Sequence, residues 1–165
     1  MFYLADREVI DALLNAASRG VQVNIILDPN KNAFGSKKTG LPNQPVALEL
    51  HEKTGGRINI RWYQTGQEQY HTKLLYIRTK DKALITGGST NFTSRNLDNY
   101  NLETNVYIEA PIESPAARDV DSYFQRIWSN KDGQYTIDGA ELLNPLTFGQ
   151  QVIYMVQQIF NFTTF

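Results

Sequence analysis

Tyr70-His71-Thr72-Lys73-Leu74-Leu75-Tyr76-Ile77, then Gly87-Gly88-Ser89-Thr90-Asn91, then Asn101-Leu102-Glu103-Thr104-Asn105 gather most of the chemically capable side chains into one short span. Tyr70 to Thr79 and Ala83 to Thr86 read as two strands joined by the polar turn Lys80-Asp81-Lys82, with Gly87-Gly88 ending the hairpin. Alternation along a strand puts His71 and Lys73 on one face about 7 Å apart, a spacing at which an imidazole and an ammonium can meet one phosphate. Ser89 and Asn91, also two apart, can bring a hydroxyl and an amide to the same face. In the next strand Leu102, Thr104, Val106 and Ile108 are expected on one face and Glu103, Asn105 and Tyr107 on the other. From there a carboxylate can hold the imidazole Nδ1–H and leave Nε2 free to attack. The plainer reading is a polar sheet edge with a satisfied His–Glu hydrogen bond.

Upstream, Val9, Ile10, Leu13, Leu14 and Ala17 recur at helical spacing after Asp6, and Gly20 marks the stop. Val21 to Leu27 is a β-branched strand ending at Asp28-Pro29, and about fifteen residues without a period follow. A short helix over Pro45 to Glu52 and a strand over Arg57 to Tyr63 complete a second α-to-β step. His51, the other of the two histidines, falls near the end of that helix, where a cation suits the helix dipole, and reads as a surface residue. Downstream, Ser114-Pro115 caps a helix whose expected core face is Val120, Tyr123, Phe124, Ile127 and Trp128. The opening Met1-Phe2-Tyr3-Leu4 reads as a short apolar strand without the basic flank of a signal peptide, and suggests a chain that starts inside a domain.

The 165 residues carry 16 basic and 17 acidic side chains, 41% hydrophobic residues and no cysteine, which describes one ordinary domain and excludes disulfide scaffolds, thiol nucleophiles and cysteine-ligated zinc. Near-neutral charge gives no general attraction for polyphosphate, so a nucleic-acid role would need a local basic patch, for which Lys31, Lys37 and Lys38 are the candidates. Residues 1–130 read as the domain, and 131–165 as a C-terminal, helical extension. Its stripe of Phe148, Val152, Met155, Val156, Ile159 and Phe160 calls for a cover, but glutamines interrupt it too often for a membrane span.

The ordered set of H-x-K strand, G-S-x-N turn and downstream glutamate resembles the HKD half-site of the phospholipase D superfamily, and the helix-to-strand step Arg19 to Asp28 extends the likeness over roughly Met1 to Trp128. The resemblance implies an α/β fold, an α-β-α sandwich whose mixed central sheet is flanked by helices, and a metal-free, cofactor-free displacement at phosphorus. It makes His71 the nucleophile that becomes a phosphohistidine. Lys73 and Asn91, with Ser89 nearby, would stabilise the phosphoryl oxygens, and Glu103 would orient the ring. Two departures stand out: Arg78 occupies the place where H-x-K-x4-D has aspartate, and the hairpin to Gly88 is longer than usual. Arg78 lies an odd number of residues from His71, so it is expected to face away from Lys73.

Members of that superfamily complete an active site from two half-sites, and this chain has one. The second is expected from a missing part of a longer chain or from a homodimer mate. The expected activity is a phospholipase D-like phosphodiesterase or phosphatidyl transferase of the cardiolipin synthase kind. Its partners would be a phospholipid or other phosphodiester substrate and, through the aromatic tail, a peripheral membrane surface, in a cytoplasmic or membrane-associated setting. The alternatives are an HKD-family nuclease and a catalytically inactive structural or binding module.

Overall fold

The computed structural model describes the chain except residues 31, 34, 35, 38, 39, 67, 99, 144, 145 and 161–165, and leaves out the side chains of 32, 33, 36, 37 and 157–160. Helix α1 (Arg7–Ser18) is capped by Asp6, whose carboxylate accepts from Val9 N–H, and the chain turns away at Gly20 with φ +83°. Strand β1 (Val23–Leu27) follows, then a small hairpin of β2 (Asn32–Ala33) and β3 (Ser36–Lys37) within the stretch expected as loop. Helix α2 (Asn43–Thr54) ends on a left-handed Gly55 and leads to β4 (Ile58–Tyr63), which pairs parallel to β1. Strands β5 (Leu74–Arg78) and β6 (Lys82–Gly88) form the expected hairpin. The short α3 (Ser94–Leu97), then β7 (Asn105–Pro111) antiparallel to β6, and α4 (Pro115–Trp128) behind its Ser114 cap come next.

The two three-stranded sheets meet across the first residues of the chain. Asp28 N–H donates to Met1 O at 3.0 Å on one side, while Phe2 N–H reaches Thr72 O at 3.1 Å and Phe92 N–H reaches Tyr3 O at 3.0 Å on the other. Met1 to Ala5 are all buried, and Leu4 bridges Phe92 in parallel. The opening is apolar and buried between β1 and the 70–73 segment, but it forms a single bridge at Leu4 in place of the short strand expected. The main core packs Ile10, Leu27, Val46, Leu50, Ile58 and Trp62 between α1, α2 and the β1–β4 sheet. The fold is the mixed α/β arrangement with flanking helices that the resemblance implies.

Three further expectations change. The stretch read as a helical extension from 131 opens instead with β8 (Thr136–Asp138), antiparallel to β4, and a 3-10 turn (Gly139–Leu142). Trp62 indole N–H donates to Gly139 O at 2.9 Å, and a Cβ on Gly139 would sit 2.5 Å from Ile60 O, so the approach requires glycine. Three residues are too short for alternation to announce a strand. The final helix α5 (Phe148–Phe160) touches the domain through Tyr154, which lies outside the expected stripe and donates to Glu49 Oε2 at 3.0 Å. Phe148, Val152, Met155 and Val156 stay exposed. The third change is β7, an edge strand with both Val106 and Tyr107 exposed, so its apolar alternation does not mark a buried face. Among the described residues no helix is long and apolar enough to cross a membrane.

Candidate active site

His71, Thr72 and Lys73 precede β5 instead of lying within it, because their backbone groups bond elsewhere. Tyr70 N–H donates to the buried Asp28 Oδ2 at 2.6 Å, and Thr72 O accepts from Phe2 N–H. The two side chains nevertheless meet as their spacing predicts: Lys73 Nζ lies 2.8 Å from His71 Nε2 and donates to His71 O at 3.0 Å. Phe2 backs both, its ring 4.6 Å from the imidazole and 5.0 Å from the ammonium. His71 is exposed while Lys73 is buried, 7% accessible.

Burial lowers the Lys73 pKa to about 8, against the opposing pull of the Glu103 carboxylate. Burial first and Lys73 second lower that of His71, while Asp28 opposes the shift. At neutral pH the pair is thus a charged lysine donating to a neutral imidazole whose proton sits on Nδ1.

The turn after β6 brings up the remaining residues. Ser89 N–H donates to Thr104 O at 3.0 Å, and Gly88 allows this closeness, since a Cβ there would fall 2.2 Å from the same oxygen. Thr90 and Asn105 bond side chain to side chain at 2.6 Å and clamp the turn to the start of β7. Asn91 Oδ1 is buried without a hydrogen-bond partner, an open polar valence of the sort a ligand completes.

Glu103 lies beside this group but does not hold the ring. Its carboxylate accepts from Ser89 Oγ and from Asn96 Nδ2, and no hydrogen bond joins it to His71. The reason is local: Glu103 falls before β7 begins, so alternation does not aim its side chain. Asn96 is the residue that reading missed; it lies on α3, held by Thr93 Oγ1 at 2.6 Å, with no periodic signal around it.

Arg78 makes its ion pair with Asp121 of α4 at 3.1 Å, not with His71 or Lys73. His51 is exposed on α2. Lys31 and Lys38 lie outside the described residues, as does the side chain of Lys37. A cleft of about 440 Å³ opens from His71 and Thr72 between the β4–β5 loop and α4, walled by Tyr63, Tyr70, Tyr123 and Arg126.

The family model for the cardiolipin synthase, phospholipase D-like domain matches residues 1–128. The chain belongs to this family. Among solved structures, the phosphatidylserine synthase of Haemophilus influenzae Rd KW20 is similar in fold, with a TM-score of 0.54 at 15% identity. The match covers 96% of this chain and 37% of that one, so this chain spans little more than a third of the neighbour's length. No curated protein matches the sequence.

Proposed function

We propose that this chain supplies one half-site of a phospholipase D-like phosphodiesterase or phosphatidyl transferase that works through a phosphohistidine at His71. The observation that carries the proposal is Lys73 Nζ 2.8 Å from His71 Nε2, next to the turn over residues 89–91 that Ser89 N–H pins to Thr104 O. In the resting pair the lysine proton occupies the Nε2 lone pair. An arriving phosphodiester draws the Lys73 ammonium's hydrogen bond onto a non-bridging oxygen, which frees the Nε2 lone pair and places positive charge beside the phosphoryl group in one movement. The Nε2–P bond then forms as the P–O bond to the leaving group breaks. Water or an alcohol reverses the step, breaking Nε2–P and returning the imidazole. Ser89 and Asn91 flank the phosphoryl oxygens, and Glu103 fixes Ser89.

The leaving alkoxide needs a proton that His71, bonded to phosphorus, cannot give. Its source in this proposal is the histidine of a second half-site, from a missing part of the chain or from a second copy. The outer edge of β7 supports such a seat: it runs on from Glu103 and exposes Val106 at 61% and Tyr107 at 63%. The pI of about 6.1 and the uncharged aromatic tail favour a lipid substrate and peripheral membrane contact over nucleic acid.

In protein containing both half-sites, His71→Ala abolishes turnover and removes the acid-labile, base-stable phosphoenzyme that wild type traps, while His51→Ala stays near wild type. Chelators leave the rate unchanged. Equal effects at the two histidines would overturn the assignment.

A further inference from the structure

We infer that Asp28 is the positioning residue for the nucleophile, fixing His71 from both sides and supplying the buried negative charge against which its ring becomes cationic. The inference rests on the reading of His71 as nucleophile. Asp28 is 1% accessible at the end of β1, more than forty residues before the histidine in sequence, and no motif around His71 includes it.

Two routes lead from its carboxylate to the ring. Oδ2 accepts at 2.6 Å from the N–H of Tyr70, the residue ahead of His71, at a point where no sheet ladder holds the backbone. Oδ1 accepts from Asn30 N–H at 2.7 Å and from Asn30 Nδ2 at 3.3 Å. Asn30 Nδ2 in turn donates to Phe2 O at 3.0 Å, which Asn43 Nδ2 also reaches at 2.8 Å. Phe2 then holds Thr72 O through its own N–H and lays its ring against the imidazole. The residues on either side of His71 and the surface behind it are thus tied to one carboxylate. A buried carboxylate whose oxygens are filled by backbone N–H donors is rigid, which is what a nucleophile needs to stay in line with phosphorus.

The charge has a second use. Attack through Nε2 leaves the imidazole, still protonated at Nδ1, cationic until that proton departs. Lys73, the nearest other charge, is positive and disfavours it. Asp28 acts in the opposite sense. Burial raises the Asp28 pKa, and the hydrogen bonds from Tyr70 N–H and Asn30 N–H oppose that shift; the nearby Tyr3 phenol, pushed up to about 12, stays neutral. Glu103, whose carboxylate acts on Lys73, makes no hydrogen bond to the ring.

The test uses Asp28→Asn, with Asp119→Asn on the exposed surface of α4 as control. With only two histidines, the exposed His51 serves as an internal reference for an NMR titration of the imidazoles in this chain alone. Asp28→Asn is expected to lower the His71 titration midpoint relative to His51. In protein with both half-sites, the same change lowers kcat on the order of 10²-fold, with KM little changed and the acidic limb of the pH–rate profile displaced downward. Should Asp28→Asn not fold, Asp28→Glu decides, since it keeps the charge but moves it by one methylene: it retains the His71 midpoint and loses turnover. An unchanged midpoint with Asn, or unchanged turnover with Glu, overturns the inference. Retained activity in His71→Ala would overturn the functional reading instead and leave the titration result standing.

Discussion

Replacing Lys73 with methionine should make the folded chain more stable while removing its grip on phosphate. The folded state holds this ammonium at a pKa of about 8 against 10.5 for an ordinary lysine, because burial penalises its charge. At 1.36 kcal/mol for each pH unit, that gap is about 3.4 kcal/mol as an upper bound. The neighbouring His71 is exposed and the site opens to water, which cuts the penalty by roughly half. Loss of the bond to His71 O takes back about 1 kcal/mol.

The balance is a gain of about 1 kcal/mol at pH 7, or a melting temperature higher by about 2–4 °C for a domain of this size. Methionine keeps the aliphatic contact with Phe2, and Lys80→Met in the exposed β5–β6 turn serves as a neutral control. The unfolded chain binds more protons than the folded one between pH 8 and 10.5. The lysine penalty is therefore complete below 8 and fades as pH rises through that window. The stability difference between variant and wild type should close by pH 10.5, and taking the difference cancels the tyrosines that titrate there too. Vanadate or tungstate binding by the variant should be lost. A variant less stable than wild type at pH 7, or a stability gap that does not narrow with pH, would refute the reasoning.

Arg78→Asp sets a second carboxylate against Asp121 in place of a half-exposed ion pair, and is expected to cost about 1 kcal/mol in urea melts with vanadate affinity unchanged; pairing it with Asp121→Arg should restore stability. A large loss of vanadate binding would place Arg78 in the site. Tyr154→Phe removes the phenol that ties α5 to Glu49, for about 1 kcal/mol. Burial raises the Tyr154 pKa, so above pH 10 the unfolded chain loses that proton before the folded one does and stability falls. Proteolysis of α5 should accelerate there in wild type and not in the phenylalanine variant. Removing the chain after Asn144 should lower stability at every protein concentration. A change in sedimentation from dimer to monomer would instead make the exposed Phe148–Val156 stripe an interface.

The regular elements were legible because periodicity and capping are local. α1 starts just after Asp6 as expected, Ser114 caps the helix it was expected to cap, and β1, β4 and the β5–β6 hairpin fall within a few residues of their predicted spans. The His71–Lys73 contact was legible for a less direct reason, since the extended backbone ahead of β5 preserves the spacing of two even where the ladder is absent. Glu103 shows the limit of that rule: one step outside its strand, a side chain is aimed by whatever partners surround it, here Ser89 and Asn96. β8 and Tyr154 escaped for a related cause. A three-residue strand and a lone docking tyrosine act through contacts with Arg61–Tyr63 and Glu49, far away in sequence.

These misses share a physical origin. The candidate residues stand where strands stop: 71–73 before β5, 89–91 after β6 and 103 before β7. At such points backbone hydrogen bonds are no longer supplied by the ladder and must come from side chains. Asp28 takes Tyr70 N–H, Asn105 takes Thr90 N–H at 3.4 Å, and Asn43 takes Leu4 N–H at 2.9 Å. Each is polar, held in place by partners distant in sequence, and carries no periodic mark. Side chains that are to be left for a ligand, as the proposed function asks of Lys73 and Asn91, cannot also hold the backbone. The rigidity is therefore delegated to asparagines and one buried aspartate around the site, and replacing any of them should disturb it more than the distance from His71 would suggest.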